Sequence, residues 1–270
     1  MKFASIKAAT VAVARVHEIE KQIFEIVGSG VCIDPAGIVL TCEHVISAFM
    51  AVPVKEQLKG IEKSSEPTKL ESPALIVPHA IFYKVDERGR LLGFPCRVDQ
   101  IVVSRKQDIG AIRVLPHTAM PEGYPAAQVE DYAEIHEGLE VGTCGFPLGN
   151  FLKQQIGAVT SSFTFGRIST ISPYEGVEEA RVQMFQLDIT ATHGNSGGPV
   201  FNQSSQKVIG VLQGGILHSS GNLQPGLVRC EPVYEFLADN VVEFVKSRPP
   251  GELGDLADMK KMLRRQSPGK

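Results

Sequence analysis

Residues 192–199 read Thr192-His193-Gly194-Asn195-Ser196-Gly197-Gly198-Pro199. Three glycines crowd one serine. Glycine reaches backbone conformations closed to other residues and lets a second chain approach closely. Acyl transfer uses both properties. The hydroxyl must stand on a tight turn, and backbone N–H groups must aim at the oxygen that becomes negative. A plain glycine-rich β-turn carrying an ordinary serine is the competing reading. The stretch also fits G-x-S-x-G, the elbow of α/β-hydrolases, which needs strand-then-helix flanks and an acid before the final histidine. After Ser196 comes His218, with no Asp or Glu between, and the flanks read as strands. That fold is set aside.

The surroundings of this stretch are β-rich. Ile23 to Ile33 and Ile38 to Thr41 flank Asp34-Pro35-Ala36-Gly37, a hairpin pattern. Ala80 to Val85 and Leu91 to Phe94 flank a second turn, Asp86-Glu87-Arg88-Gly89. Further short strands are expected over 98–103, 109–114, 140–145, 181–189, 199–201 and 208–212, and Thr10 to Val16 suits a first strand. Tyr234 to Val245 carries the clearest 3.6-residue period and predicts one helix near the end. Lys55 to Glu71 reads as a charged surface loop, Leu115 to Tyr124 as a Pro- and Gly-bearing linker, and the residues from Ser247 as a polar, mobile tail. The expected division is 1–118, 119–246 closing with the helix, and a tail over 247–270.

Composition narrows the function classes. The 270 residues are 43% hydrophobic and 21% charged, which suits a folded core. A net charge of −3 offers no attraction to nucleic acid or an anionic membrane. There is no run of apolar residues long enough for a membrane helix. The five cysteines, Cys32, Cys42, Cys96, Cys144 and Cys230, are odd in number and lack C-x-x-C spacing, so neither a disulfide framework nor a zinc knuckle is expected. Lys7 interrupts the apolar N-terminus and leaves Ala8 to Ala14, short for a signal peptide. A reducing, cytoplasmic setting is the expectation. No metal or cofactor is expected.

A serine nucleophile needs a histidine base, and the histidine needs a carboxylate to fix its tautomer. His17, His79, His117 and His136 lie beside charged, proline or loop residues and read as solvated. His44 directly follows the strand Ile38-Val39-Leu40-Thr41 and stands apart. Among the acids, Asp86 sits in a turn and Asp131 in a polar loop. Asp99 precedes a strand and stays open. Asp108 leads Ile109-Gly110-Ala111-Ile112-Arg113-Val114, a strand start with no other acid nearby.

These stretches together resemble the trypsin-like (chymotrypsin-fold) serine proteases, nearer the HtrA/Deg branch than the secreted digestive branch. Gly28-Ser29-Gly30, Asp34 with Gly37, and Leu40-Thr41-Cys42-Glu43-His44-Val45 resemble the strands leading to that family's histidine. Asp108-Ile109-Gly110-Ala111-Ile112 resembles its aspartate strand. Val141 to Gly149 resembles the turn opening its second barrel, and Gly194 to Pro199 its nucleophile motif. The resemblance runs from about residue 10 to 245, in the order His, Asp, Ser.

It implies an all-β fold of two six-stranded barrels, with His44 and Asp108 in the first, Ser196 in the second, and the Gly194 and Ser196 N–H groups forming an oxyanion hole. It implies hydrolysis of a protein or peptide substrate. It places Thr190 at the floor of the specificity pocket, Gln213, Gly214 and Gly215 along its wall, and His193 at its mouth. An uncharged floor suits small or medium apolar side chains. Asn195 replaces the Asp that pairs with a freed N-terminus in digestive relatives, so activation by N-terminal cleavage is not expected. No cysteine closely follows His44, and no PDZ-like segment follows the second barrel in this sequence. A latent protease-fold scaffold and an esterase are the alternatives. The oligomeric state is not legible.

Overall fold

The computed structural model describes residues 2–17, 23–50, 76–104, 106–147, 149, 159–173, 183–217 and 223–250. The expected loop over 55–71, His218 and the tail beyond residue 250 lie outside these.

Six strands close the first barrel: β1 (Thr10–His17), β2 (Ile23–Asp34), β3 (Ile38–Thr41), β4 (Ile76–Val85), β5 (Leu91–Val103) and β6 (Gly110–Val114). Their spatial order is β1-β2-β3-β6-β5-β4, and every pairing is antiparallel. Six more close the second: β7 (Glu140–Gly145), β8 (Ser162–Pro173), β9 (Gln183–Leu187), β10 (Pro199–Asn202), β11 (Val208–Leu217) and β12 (Leu223–Pro232). Closure leaves no sheet edge to pair with another chain. The all-β, two-barrel architecture expected from the sequence is the one observed.

Local chemistry explains the turns. The Asp34 carboxylate accepts from the Ala36 N–H at 2.8 Å, and Gly37 takes φ +86°. A side chain at Gly37 would strike Val114 and Tyr124, so the turn packs directly on the next strand and the connecting segment. Asp86 closes the second hairpin, accepting from the Arg88 and Arg90 N–H groups at 2.9 and 2.8 Å. These hydrogen bonds hold its carboxyl below the usual range.

β3 and β6 are buried along their whole lengths and form the centre of the first barrel. Its apolar cluster continues across the seam through Cys144, Phe201, Val208 and Val211. The second barrel adds its own cluster around Phe185, Leu187 and Ile209. All five cysteines are buried thiols outside any disulfide. Among the described residues no helix is long and apolar enough to cross a membrane.

The α-helices α1 (Ala4–Ala9), α2 (Glu43–Met50), α3 (Tyr234–Ala238) and α4 (Val241–Ser247) decorate the barrels. The single helix expected over 234–245 is two, because Asn240 adopts the left-handed conformation at φ 53°. The pair does not close the second barrel alone. Phe236, Val241 and Val245 join the apolar cluster centred on the first barrel. At the other terminus, Phe3 packs its ring 5.3 Å from that of Phe201 and 5.8 Å from that of Phe163, both in the second barrel. Each barrel is therefore covered by the chain end that belongs to the other.

Arg113 anchors the C-terminal strap. It makes two hydrogen bonds to buried Asp99, at 2.9 and 2.6 Å, and donates to the carbonyls of Val245, Arg248 and Pro249. The first residues of the expected mobile tail are thus held by a guanidinium whose planar fork suits several acceptors at once. His79, expected in solvent, is 2% exposed and donates from Nδ1 to the Val77 carbonyl at 3.0 Å. It lies in the part of β4 that pairs with both β1 and β5, next to buried Ala80.

Removing one partner of a buried ion pair leaves an uncompensated charge and costs about 3–5 kcal/mol. Arg113→Met is therefore expected to lower unfolding stability by about that amount in denaturant titration. Arg167→Ala, which breaks the exposed pair with Glu140, is expected to leave the midpoint nearly unchanged.

Candidate active site

Asp108 reaches the site from the bend before β6. Ser104 shapes that bend: its hydroxyl accepts from the Lys106 and Gln107 N–H groups at 3.2 and 3.1 Å, and its own N–H donates to the Ile109 carbonyl. His44 stands in the first turn of α2 and not at a strand end as its sequence setting suggests. First-turn N–H groups of a helix have no intrahelical acceptor. Asp108 supplies one, taking the His44 N–H on Oδ1 at 2.9 Å. Its other oxygen, Oδ2, takes the His44 Nδ1–H at 2.7 Å. One carboxylate thus fixes the backbone position and the ring orientation of the same residue. With Nδ1 occupied as a donor, Nε2 is the ring nitrogen left to act as base.

The His44 imidazole binds its proton more tightly than usual. The hydrogen bond to Asp108 is the leading cause, and the charges of Asp108 and Glu43 add to it against the opposing effect of burial. Glu43, unexplained by sequence, accepts from the Ser47 hydroxyl one turn on at 2.7 Å and lends negative charge to its neighbour. Asp99, left open as an acid, is committed to Arg113 and has no part in the site. Asp86 and Asp131 serve turns, the latter accepting from the Ala133 N–H.

Donor atoms of Cys42, His44 and Asp108 lie within 4.8 Å of one another, close enough to ask about a metal. Their chemistry answers against one. Cys42 Sγ donates to the Leu212 carbonyl at 3.2 Å, and burial pushes its thiol well above the usual range. Both Asp108 oxygens are already engaged by His44.

Ser196 occupies the turn before β10. Gly194 and Gly197 have φ values of +97° and +83°, conformations that favour glycine. A side chain at Gly197 would fall on the Thr41 hydroxyl and the Ser29 carbonyl. The turn is held from within by Asn195 N–H to Thr192 O and Gly198 N–H to Asn195 O, and from β11 by Gly197 N–H to Leu212 O at 2.7 Å. The N–H groups of Gly194 and Ser196 donate to no acceptor among the described residues.

A cleft of about 300 Å³ is lined by His44, Ala191, Thr192, His193, Ser196, Leu212, Gly214 and Gly215. His44 and Ser196 thus face one space. No hydrogen bond joins Ser196 Oγ to His44 among the described residues. His193, Gly214 and Gly215, assigned to a substrate pocket from sequence, are in this lining. Thr190 is exposed and Gln213 is half-buried, and neither is in that lining. Ala191 and Thr192 are part of that lining. Sequence reading missed Ser29, which lies 0% exposed against the Ser196 turn, and its only signal was the glycine on either side.

The sequence matches the trypsin-like peptidase domain family over residues 28–211, a span holding His44, Asp108 and Ser196. It is 24% identical over 187 residues to serine protease HTRA3 of Homo sapiens, covering 68% of this chain and 32% of that protein. Among solved structures it is similar to the HtrA-type protease AlgW with tripeptide, at a TM-score of 0.54 and 18% identity, over 92% of this chain and 64% of that one. Deg5 aligns at a TM-score of 0.54 and 16% identity, over 89% of both chains. The chain therefore spans about a third of the human relative and a little under two thirds of the AlgW chain, and at these identities the structures speak for the fold. Two closed antiparallel barrels and a family match over more than half the sequence lead to one conclusion: the chain belongs to the trypsin-like peptidase domain family.

Proposed function

We propose that this protein is a serine endopeptidase of the HtrA kind, in which His44, Asp108 and Ser196 act together. The observation that carries the reading is the double contact of Asp108 with His44, beside a cleft that Ser196 shares. In the proposed reaction His44 Nε2 takes the Ser196 proton as Oγ attacks a peptide carbonyl. Asp108 keeps the ring oriented and stabilises the imidazolium. The Gly194 and Ser196 N–H groups, without acceptors among the described residues, receive the negative oxygen. His44 then passes its proton to the departing amine, and water releases the acyl group. The open Ser196–His44 link fits a site that tightens on substrate, since these hydrogen bonds commonly shorten only in the complex.

The substrate is a peptide, by analogy with the tripeptide on AlgW. Its side chain before the cut would lie against Ala191, Thr192, Gly214 and Gly215. Among the described residues no carboxylate stands in that lining to pair with Lys or Arg, which favours small to medium apolar side chains. A peptide library dominated by cuts after Arg or Lys would count against this preference.

Fluorophosphonate labelling tests the nucleophile. The native chain is expected to label at Ser196 and to hydrolyse peptides, and Ser196→Ala to lose both while keeping its melting temperature. A correctly folded native chain that neither labels nor cleaves would favour a scaffold on the same fold.

The pH dependence follows from His44. Its folded value lies above the ordinary 6.5, and only the neutral ring can accept a proton. Hydrolysis should therefore fall as pH drops through a midpoint above 6.5. Asp108→Asn should bring the imidazole midpoint down, as followed by NMR, and cut turnover by about 10⁴-fold. An unmoved midpoint would separate Asp108 from this role.

A further inference from the structure

The hydroxyl of Ser29 makes two hydrogen bonds, and both leave its own barrel. It donates to the Gly194 carbonyl at 2.6 Å and accepts from the Phe146 N–H at 2.9 Å. The backbone of Ser29 makes two more: its N–H donates to the Ser196 carbonyl at 2.8 Å, and its carbonyl accepts from the Thr41 hydroxyl at 2.7 Å. Ser29 belongs to β2 of the first barrel. Gly194 and Ser196 belong to the nucleophile turn of the second, and Phe146 follows β7. The side chain is 0% exposed, so each bond acts away from competing water.

We propose that Ser29 is a positioning residue that sets the oxyanion hole from across the seam, an inference that rests on the protease reading above. The geometry gives the reason. The two proposed oxyanion donors are the N–H groups of Gly194 and Ser196, on the peptides 193–194 and 195–196. Between them lies the peptide 194–195, whose carbonyl is the Ser29 acceptor. Gly194 is a glycine at φ +97°, the residue type least able to hold its own conformation. Pinning its carbonyl toward β2 turns that peptide away from the cleft and fixes the dihedral angles that relate the two donors. The Ser29 N–H does the same for the Ser196 carbonyl. A hydroxyl can donate one hydrogen bond while accepting another, and here Phe146 N–H fills the acceptor side, which leaves the single proton directed at Gly194. A glycine or alanine at position 29 could supply the backbone contact but not the side-chain one.

The test compares Ser29→Ala and Ser29→Cys with Thr10→Val. Thr10→Val also removes one buried hydroxyl-to-carbonyl bond, 2.8 Å to Ile6, but outside the cleft lining. Misplacing an oxyanion donor should act on the transition state more than on substrate binding. Ser29→Ala is expected to lower kcat by about 10- to 100-fold with KM within about twofold, short of the full loss of a donor. Ser29→Cys, close in size and a weak donor, should fall between it and the native chain. Thr10→Val should keep kcat at a similar loss of melting temperature. Native-like kcat in a folded Ser29→Ala, or an equal kcat loss in Thr10→Val, would overturn the proposal. A crystal structure of Ser29→Ala gives a second readout that needs no activity. The 194–195 peptide should be rotated from its native orientation, and an unmoved peptide would sink the idea. If the native chain itself fails to hydrolyse peptides, the protease reading falls, while the peptide orientation still judges Ser29.

Discussion

Asp108 touches His44 at two atoms, and the rest of the site is arranged around that fact. A single hydrogen bond to an imidazole leaves the ring free to swing about the bond to its helix. Adding the backbone N–H of the same residue removes that freedom. The carboxylate grips the imidazole and the backbone from which it hangs. It can do so because His44 sits in the first turn of α2, where the main chain has a hydrogen to spare. A histidine in mid-helix would have spent that N–H on the turn before it. The placement of α2 immediately after β3, and of Asp108 immediately before β6, brings the two together because β3 and β6 are neighbours in the barrel.

The second half of the site depends on a different kind of constraint. The turn around Ser196 carries glycines at 194, 197 and 198, residues with much backbone freedom to lose on folding. Its order is supplied from outside. β11 takes the Gly197 N–H, β2 takes the carbonyls of Gly194 and Ser196, and the close approach of Thr41 and Ser29 leaves no room for a side chain at Gly197. Glycine is required there by contact, and contact then removes the freedom glycine brought. The two chain ends reinforce the same seam: Phe3 lies on the second barrel, while Val245, Arg248 and Pro249 are held by Arg113 of the first.

Much of this was readable in sequence where chemistry and backbone geometry coincide. The serine motif announces itself because glycines cluster only where sterics demand them. The hairpins at 34–37 and 86–89 were legible because Asp and Gly have defined jobs in tight turns. The first turn of α2 was hidden, since its eight residues are too few to show a helical period before the chain moves on. β8 and β12 were hidden for another reason. Ser, Thr and Gly interrupt the apolar pattern in β8, and Gln, Pro and Gly do so in β12, while barrel closure by neighbouring strands supplies the hydrogen bonds that the pattern could not advertise. Asp99 and Asp108 look alike in sequence, each set at the edge of a strand. Only the cross-strand position of Arg113 separates a structural carboxylate from one free to hold a histidine.

That separation shows how the fold protects its chemistry. A guanidinium within reach of a carboxylate competes for the lone pairs that an imidazole would use. Arg113 lies on β6, the strand that Asp108 introduces, yet its side chain is saturated by Asp99 and by three carbonyls of the C-terminal strap. The strap therefore does more than cover apolar surface. Its carbonyls occupy the Arg113 donors that Asp99 leaves free at one end of β6, and at the other end both Asp108 oxygens are taken by His44.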